Sequence, residues 1–246
     1  MFMIVFSAVL GACFGSFINA AALRYVKKES FITGRSKCPH CDKVLRWFEL
    51  VPVVSWLVLR GRCRGCRAKI SPRYPLAEAF FALPAALCFY TFGWSWMTLL
   101  AFGVCGILLA IALIDLDTME IPNGLVIALI PLAAAAVWAQ PDITLLRRGI
   151  GLLVVSVPML LLALIISGAF GGGDVKLMAV CGFLLGWQNT LFAFFLALAG
   201  GVVYSLIKKV DRKAQIPFGP FLCAGTAAAM LYGSEILSAY WELLGL

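Results

Sequence analysis

Eight long apolar runs restrict the architecture of this chain more than any other feature. They lie at residues 2–23, 74–91, 96–114, 121–139, 150–167, 175–187, 190–207 and 218–232. A helix crosses a bilayer with about 17 to 25 mostly apolar residues. Hydrocarbon offers no partner for free backbone groups, so a spanning segment must satisfy them within itself. The runs are continuous rather than alternating, which excludes a β-barrel. Only 13% of the residues are charged, about half the usual soluble share of ~25%. The sequence therefore predicts an all-α polytopic membrane protein of about eight transmembrane helices. The run at 175–187 is short and begins beside Lys176, which suits a tilted helix or one flanked by protein. The amphipathic tail at 235–246 is expected to prolong the last helix.

Charge divides the chain. Of its 20 lysines and arginines, 13 lie between Arg24 and Arg73, against only three acids, Glu29, Asp42 and Glu49. In a soluble protein this would suggest nucleic acid. Beside a membrane helix the positive-inside rule accounts for it, and no nucleic-acid partner is expected. Residues 1–23 then form a first, uncleaved helix with its N-terminus outside, 24–73 a cytoplasmic polar insert, and 74–246 a seven-helix membrane domain. Lys208, Lys209, Arg212 and Lys213 agree with this topology, while Arg147 and Arg148 oppose it.

The insert carries two C-x₂-C pairs, Cys38-Pro39-His40-Cys41 and Cys63-Arg64-Gly65-Cys66. Two such turns can aim four thiolates at one point, the tetrahedral S₄ arrangement that suits structural Zn²⁺. A cytoplasmic setting disfavours the alternative of disulfides. A polar insert of this size has little core, so metal would stabilise it. His40 reads as a solvated neighbour of this site. Cys13, Cys88, Cys105, Cys181 and Cys223 lie in apolar runs and read as small packing residues. His40 is the only histidine. A Ser-His triad, a Cys-His pair and H-E-x-x-H are thereby excluded.

Ionisable residues at membrane depth mark function by default. Asp115 through Asn123 joins the third and fourth runs, and Gly171-Gly172-Gly173-Asp174-Val175-Lys176 joins the fifth and sixth. The topology puts Asp115 and Asp174 at one depth, facing the cytoplasm. Two carboxylates that share a proton supply a base to activate water and an acid to polarise a carbonyl. The competing reading makes the glycines a flexible loop and Asp174 a helix cap. Asp117 and Glu120 read as boundary charges. Helix polarity would favour the proton on Asp115, at a helix end, and the charge on Asp174, at a helix start.

These residues resemble the type IV prepilin peptidases, a branch of the GxGD intramembrane aspartyl proteases. The likeness rests on Gly15-Ser16-Phe17-Ile18-Asn19 with Arg24, on both cysteine pairs, and on Ile70-Ser71-Pro72-Arg73-Tyr74-Pro75-Leu76-Ala77-Glu78. It also rests on D-x₅-I-P-N at Asp115, Ile121, Pro122 and Asn123, and on G-x-G-D-x-K at Gly171, Gly173, Asp174 and Lys176. The resemblance implies catalytic Asp115 and Asp174 and a place in the bacterial inner membrane. It implies cleavage of the basic leader from type IV prepilins or pseudopilins. It also implies methylation of the new N-terminus with S-adenosylmethionine. No sequence pattern marks the methyl-donor site. Arg73 and Glu78 are weak candidates, with helix-end anchoring as the alternative. A metal-sensing transporter, or a membrane methyltransferase with an inactive protease core, are the competing functions.

Overall fold

The computed structural model describes residues 2–30, 36–38, 40–166, 168, 170–209 and 216–243. The chain forms two compact units, Met1–Gly93 and Trp94–Leu246. The sequence division at residue 73 thus cuts within the first unit. Arg212 and Lys213, used for topology, and Pro39 of the first cysteine pair lie outside the described residues.

In the first unit α1 (Phe2–Val26) packs along α3 (Arg73–Phe92). Between them lie a 3-10 turn, Trp47–Glu49, and the short α2 (Val54–Val58). Lipid gives no hydrophobic drive for helix pairing, so membrane helices pair through small residues that let backbones approach. Gly11 and Gly15 do this here. A Cβ on Gly11 would overlap that of Ala85, and one on Gly15 would lie 2.9 Å from the Ala77 carbonyl oxygen. One turn further on, fully buried Asn19 accepts a hydrogen bond from Arg73 Nε at 3.2 Å. Buried Glu78 accepts one from the Val53 N–H at 2.6 Å. Val53 has φ +59°, a conformation rarely open to a β-branched residue, and the Glu78 carboxylate holds it there. Both contacts are of the anchoring kind.

The second unit contains α4 (Trp96–Thr118), α5 (Asn123–Ala139), α6 (Leu145–Val154), α7 (Ser156–Ile165), α8 (Gly172–Leu185), α9 (Trp187–Lys208) and α10 (Gly219–Leu243). Among the described residues six helical stretches are long and apolar enough to cross a membrane: α1, α3, α4, Leu145–Ile165, α9 and α10. α5 is a shorter apolar helix. The eight runs thus appear in register as helices of a multi-pass membrane protein. Large apolar side chains such as Leu164, Phe195 and Leu206 point outward, as lipid-facing residues do. α10 extends to Leu243, so the tail prolongs the last helix as expected.

Three details differ from the sequence reading. The fifth run is two helices, broken at Val155, because Pro158 has no N–H to offer the Val154 carbonyl. α4 runs past residue 114 to Thr118, which places Asp115 in its last turn rather than after it. Cys88, Cys105, Cys181 and Cys223 are buried as expected, but Cys13 is exposed on α1.

Arg148, one of the two residues that opposed the topology, is fully buried. Its guanidinium donates to the carbonyls of Ala136 (2.8 Å) and Gln140 (3.0 Å) at the end of α5. It also donates to Leu184 (2.8 Å) and Phe183 (3.2 Å) at the end of α8, and to Ile143 (3.3 Å). The last carbonyls of a helix lack partners and carry the negative end of its dipole, so one cation clamps both helices. Its charge is used internally and does not count as a loop charge; exposed Arg147 still does. Arg148→Met should lower stability by at least about 3 kcal/mol, since each buried carbonyl left without a donor costs roughly 1–3 kcal/mol. Arg148→Lys should recover only part, lacking the planar fork. Thermal unfolding in detergent checks this, and an unchanged midpoint in Arg148→Met would show that the clamp contributes nothing.

Candidate active site and metal centre

Two joints in the second unit position the carboxylates of Asp115 and Asp174 at helix ends. α4 ends at Met119, whose positive φ of +55° turns the chain and whose N–H caps the Asp115 carbonyl at 2.8 Å. Pro122 is buried just before α5, and its carbonyl accepts the N–H groups of Leu125 and Val126. The first turn of α8 seats on this segment. A Cβ on Gly173 would lie 2.8 Å from that of Ile121, so only glycine allows the approach. Lys176 Nζ donates to Asn123 Oδ1 at 3.1 Å. The two motifs, 53 residues apart in sequence at the Lys176–Asn123 contact, are thus joined by a packed glycine and a hydrogen bond.

Asp115 is 4% exposed in the last turn of α4. Asp174 is half-buried in the first turn of α8 and lies within electrostatic reach of Asp115. Asp174 Oδ2 accepts the Gly171 N–H at 3.1 Å. Asp115 Oδ2 accepts the Gly219 N–H at 2.9 Å, from the first residue of α10. Helix polarity alone therefore does not divide the roles of the two acids. Asp115 sits at one helix end but meets the start of another. Asp117 and Glu120 lie exposed in the same joint, and the Glu120 N–H donates to Thr118 Oγ1 at 3.3 Å.

Gly219 was not singled out by sequence reasoning. The available signal was Ile216-Pro217-Phe218-Gly219-Pro220, a proline-flanked glycine opening a helix. Each N–H donor follows a phenylalanine, and Phe170 and Phe218 pack with ring centroids 5.7 Å apart and planes tilted by 53°. Phe218 also borders an apolar groove of about 290 Å³ with Leu198, Gly201 and Val202.

In the first unit the two cysteine pairs form matching turns. In each, the first cysteine's N–H bonds a carbonyl five residues on (Cys38 to Lys43, Cys63 to Ala68). Its carbonyl accepts from Asp42 or Arg67, both at positive φ. Single antiparallel bridges close both turns, Lys37 with Val44 and Arg62 with Lys69. This is a repeat that the sequence did not disclose, because the residues between the cysteines differ. The four sulfurs lie within 4.8 Å of one another. Cys38 Sγ and Cys66 Sγ are 3.8 Å apart, close to the ~3.8 Å tetrahedron edge that follows from Zn–S distances of about 2.3 Å. The N–H groups of Cys66 and Gly65 pull the Cys63 thiol down while the neighbouring sulfurs push the Cys41 thiol up, so the gathered sulfurs rather than their acidity argue for a metal. The donor set therefore fits zinc. Exposed His40 is not part of the cluster. Glu49 braces the turn: it accepts the Arg46 N–H at 2.8 Å and pairs with Lys43 at 3.1 Å. These two donors hold its carboxyl below the usual range.

A membrane protein with paired helix-end aspartates and a tetracysteine insert defines a narrow class, and comparison with known proteins gives the family. Residues 9–92 match the Bacterial Peptidase A24 N-terminal domain, and residues 102–206 match the Type IV leader peptidase family. A prepilin leader peptidase/N-methyltransferase of Bacillus subtilis (strain 168) is 36% identical over 243 residues, covering 96% of both chains. Proteins of the same name from Stutzerimonas stutzeri and Burkholderia pseudomallei (strain K96243) are 35% and 36% identical. They cover 84% and 98% of this chain, and 75% and 88% of their own. No solved structure matches. The chain belongs to the type IV leader peptidase family, a family of aspartic proteases.

Proposed function

We propose that this protein cuts the basic leader from type IV prepilins or pseudopilins, with Asp115 and Asp174 as the catalytic pair. The observation that supports the reading is that each of these two helix-end carboxylates holds one glycine N–H, Asp115 where α4 meets α10 and Asp174 at the start of α8, whose first turn seats on the segment between α4 and α5. Like charges within electrostatic reach resist ionising together, so in this reading one acid keeps a proton. The charged member takes a proton from water as its oxygen attacks the scissile carbonyl. The protonated member donates to the carbonyl oxygen. Collapse of the tetrahedral diol breaks the C–N bond: the proton gained from water passes to the leaving amine, and a diol hydroxyl returns its proton to the other aspartate, restoring the pair. The apolar groove beside Phe218 suits the apolar stretch that follows the cut.

The site lies at the cytoplasmic face of the bacterial inner membrane in this reading, with the insert of residues 24–73 on the same side. The inward excess of Lys and Arg supports that orientation. Cys38, Cys41, Cys63 and Cys66 would hold zinc, which supplies a structural cross-link to an insert with little core. Methylation of the new amine with S-adenosylmethionine is supported by the near full-length likeness to bifunctional relatives. A transporter or an inactive protease core would not need two acids so arranged.

Asp115→Asn and Asp174→Asn should each reduce cleavage of a purified prepilin by roughly 10²- to 10⁴-fold, with insertion retained and Asp117→Asn still partly active. Near-normal cleavage by either variant would remove that residue from the pair.

Metal analysis should find about one zinc per chain, lost in a Cys63→Ser, Cys66→Ser variant and on acidification, because protons compete for thiolate. Metal content indifferent to both would refute the centre.

A further inference from the structure

We infer that Gly219 is a positioning residue for Asp115, holding its carboxylate through the backbone N–H that opens α10. The inference rests on Asp115 being catalytic, as proposed above. The donors in the first turn of α10 can be followed one by one. Gly219 N–H goes to Asp115 Oδ2 at 2.9 Å. Pro220 has no N–H. Phe221 and Leu222 donate back to the Phe218 carbonyl at 3.1 and 3.2 Å. A single free donor is therefore aimed at the carboxylate, and Pro220 pre-sets the backbone around it.

The glycine is required by space rather than by backbone angle, since its φ is not in the left-handed region. A Cβ at this position would lie 2.7 Å from Asp115 Oδ2, 2.9 Å from Cγ and 3.2 Å from Cβ. Any side chain would push on the carboxylate itself. Gly219 is buried and Asp115 is 4% exposed, so no water readily replaces the lost donor. The bond also runs between α4 and α10, elements 104 residues apart along the chain. It fixes where one acid stands relative to its partner on α8. Loss of a donor to a carboxyl at the reacting centre should act on kcat, because positioning matters most in the transition state.

Two variants separate space from hydrogen bonding. Gly219→Ala introduces the Cβ. A glycolic acid residue at 219, which puts an ester oxygen where the N–H stood, removes the donor and adds no bulk. The account expects kcat for prepilin cleavage to fall roughly 10- to 100-fold in both, with KM within about twofold. The infrared carboxylate band of isotope-labelled Asp115 should shift in the ester variant. Gly225→Ala is the structural control. Its Cβ would strike the Ala193 carbonyl of α9, so it should lower the melting midpoint while keeping kcat. If Gly219→Ala fails to fold, the ester variant decides alone. Wild-type kcat in the ester variant, an unmoved Asp115 band, or a loss confined to KM would overturn the inference. If the wild-type protein fails to cleave, or Asp115→Asn cleaves normally, the catalytic reading itself fails instead.

Discussion

The site depends on how closely the first turn of α8 seats on the segment that follows α4. Gly173 brings backbone against Ile121, and Lys176 reaches Asn123 across the joint. Irregular backbone is tolerated at membrane depth only where protein or a cavity covers it. The extended Pro122 is such backbone and is buried, and the contact of Gly173 with Ile121 covers the segment beside it, while Met119 and Gly172 are exposed. Replacing Gly173 by a larger residue would move α8, and Asp174 with it, away from Asp115. The position of Asp174 relative to the α4–α5 segment is thus a consequence of helix packing rather than of flexible loops meeting.

The opposite end of the same helices is held by a different device. α5 and α8 both start at the aspartate joint and run about 20 to 25 Å, at 1.5 Å per residue, to carbonyl ends gathered by Arg148. Between these points Gly151 and Gly182 let α6 and α8 cross in backbone contact. Two parallel helices pinned at both ends give a rigid bed for one of the two acids. α10 contributes the other constraint through Gly219.

Much of this was legible in the sequence because it is local. Continuous apolar runs report helices directly, and every run is helical, the fifth as two helices. C-x₂-C spacing reports a turn, and the four sulfurs gather. Asp115 and Asp174 stood out because charge is costly near lipid. What the sequence hid is non-local or steric. Nothing in residues 216–220 points to Asp115, since a backbone N–H has no side chain to betray it. Gly219 looks like any helix-opening glycine until the space around its missing Cβ is known. Arg148 was counted as a loop charge because its partners are carbonyls, which every residue has. The break at Val155 was readable from Pro158 and was passed over, since an apolar run does not show where a helix divides.

The central claim is that one water, activated between Asp115 and Asp174, attacks the substrate without a covalent intermediate on the protein. Single-turnover cleavage of a prepilin in H₂¹⁸O tests it most directly. The account predicts one ¹⁸O in the new C-terminal carboxylate of the released leader, with the peptides bearing Asp115 and Asp174 unlabelled. Label appearing in either aspartate carboxylate, with an unlabelled leader, would show an acyl-enzyme route and contradict the account.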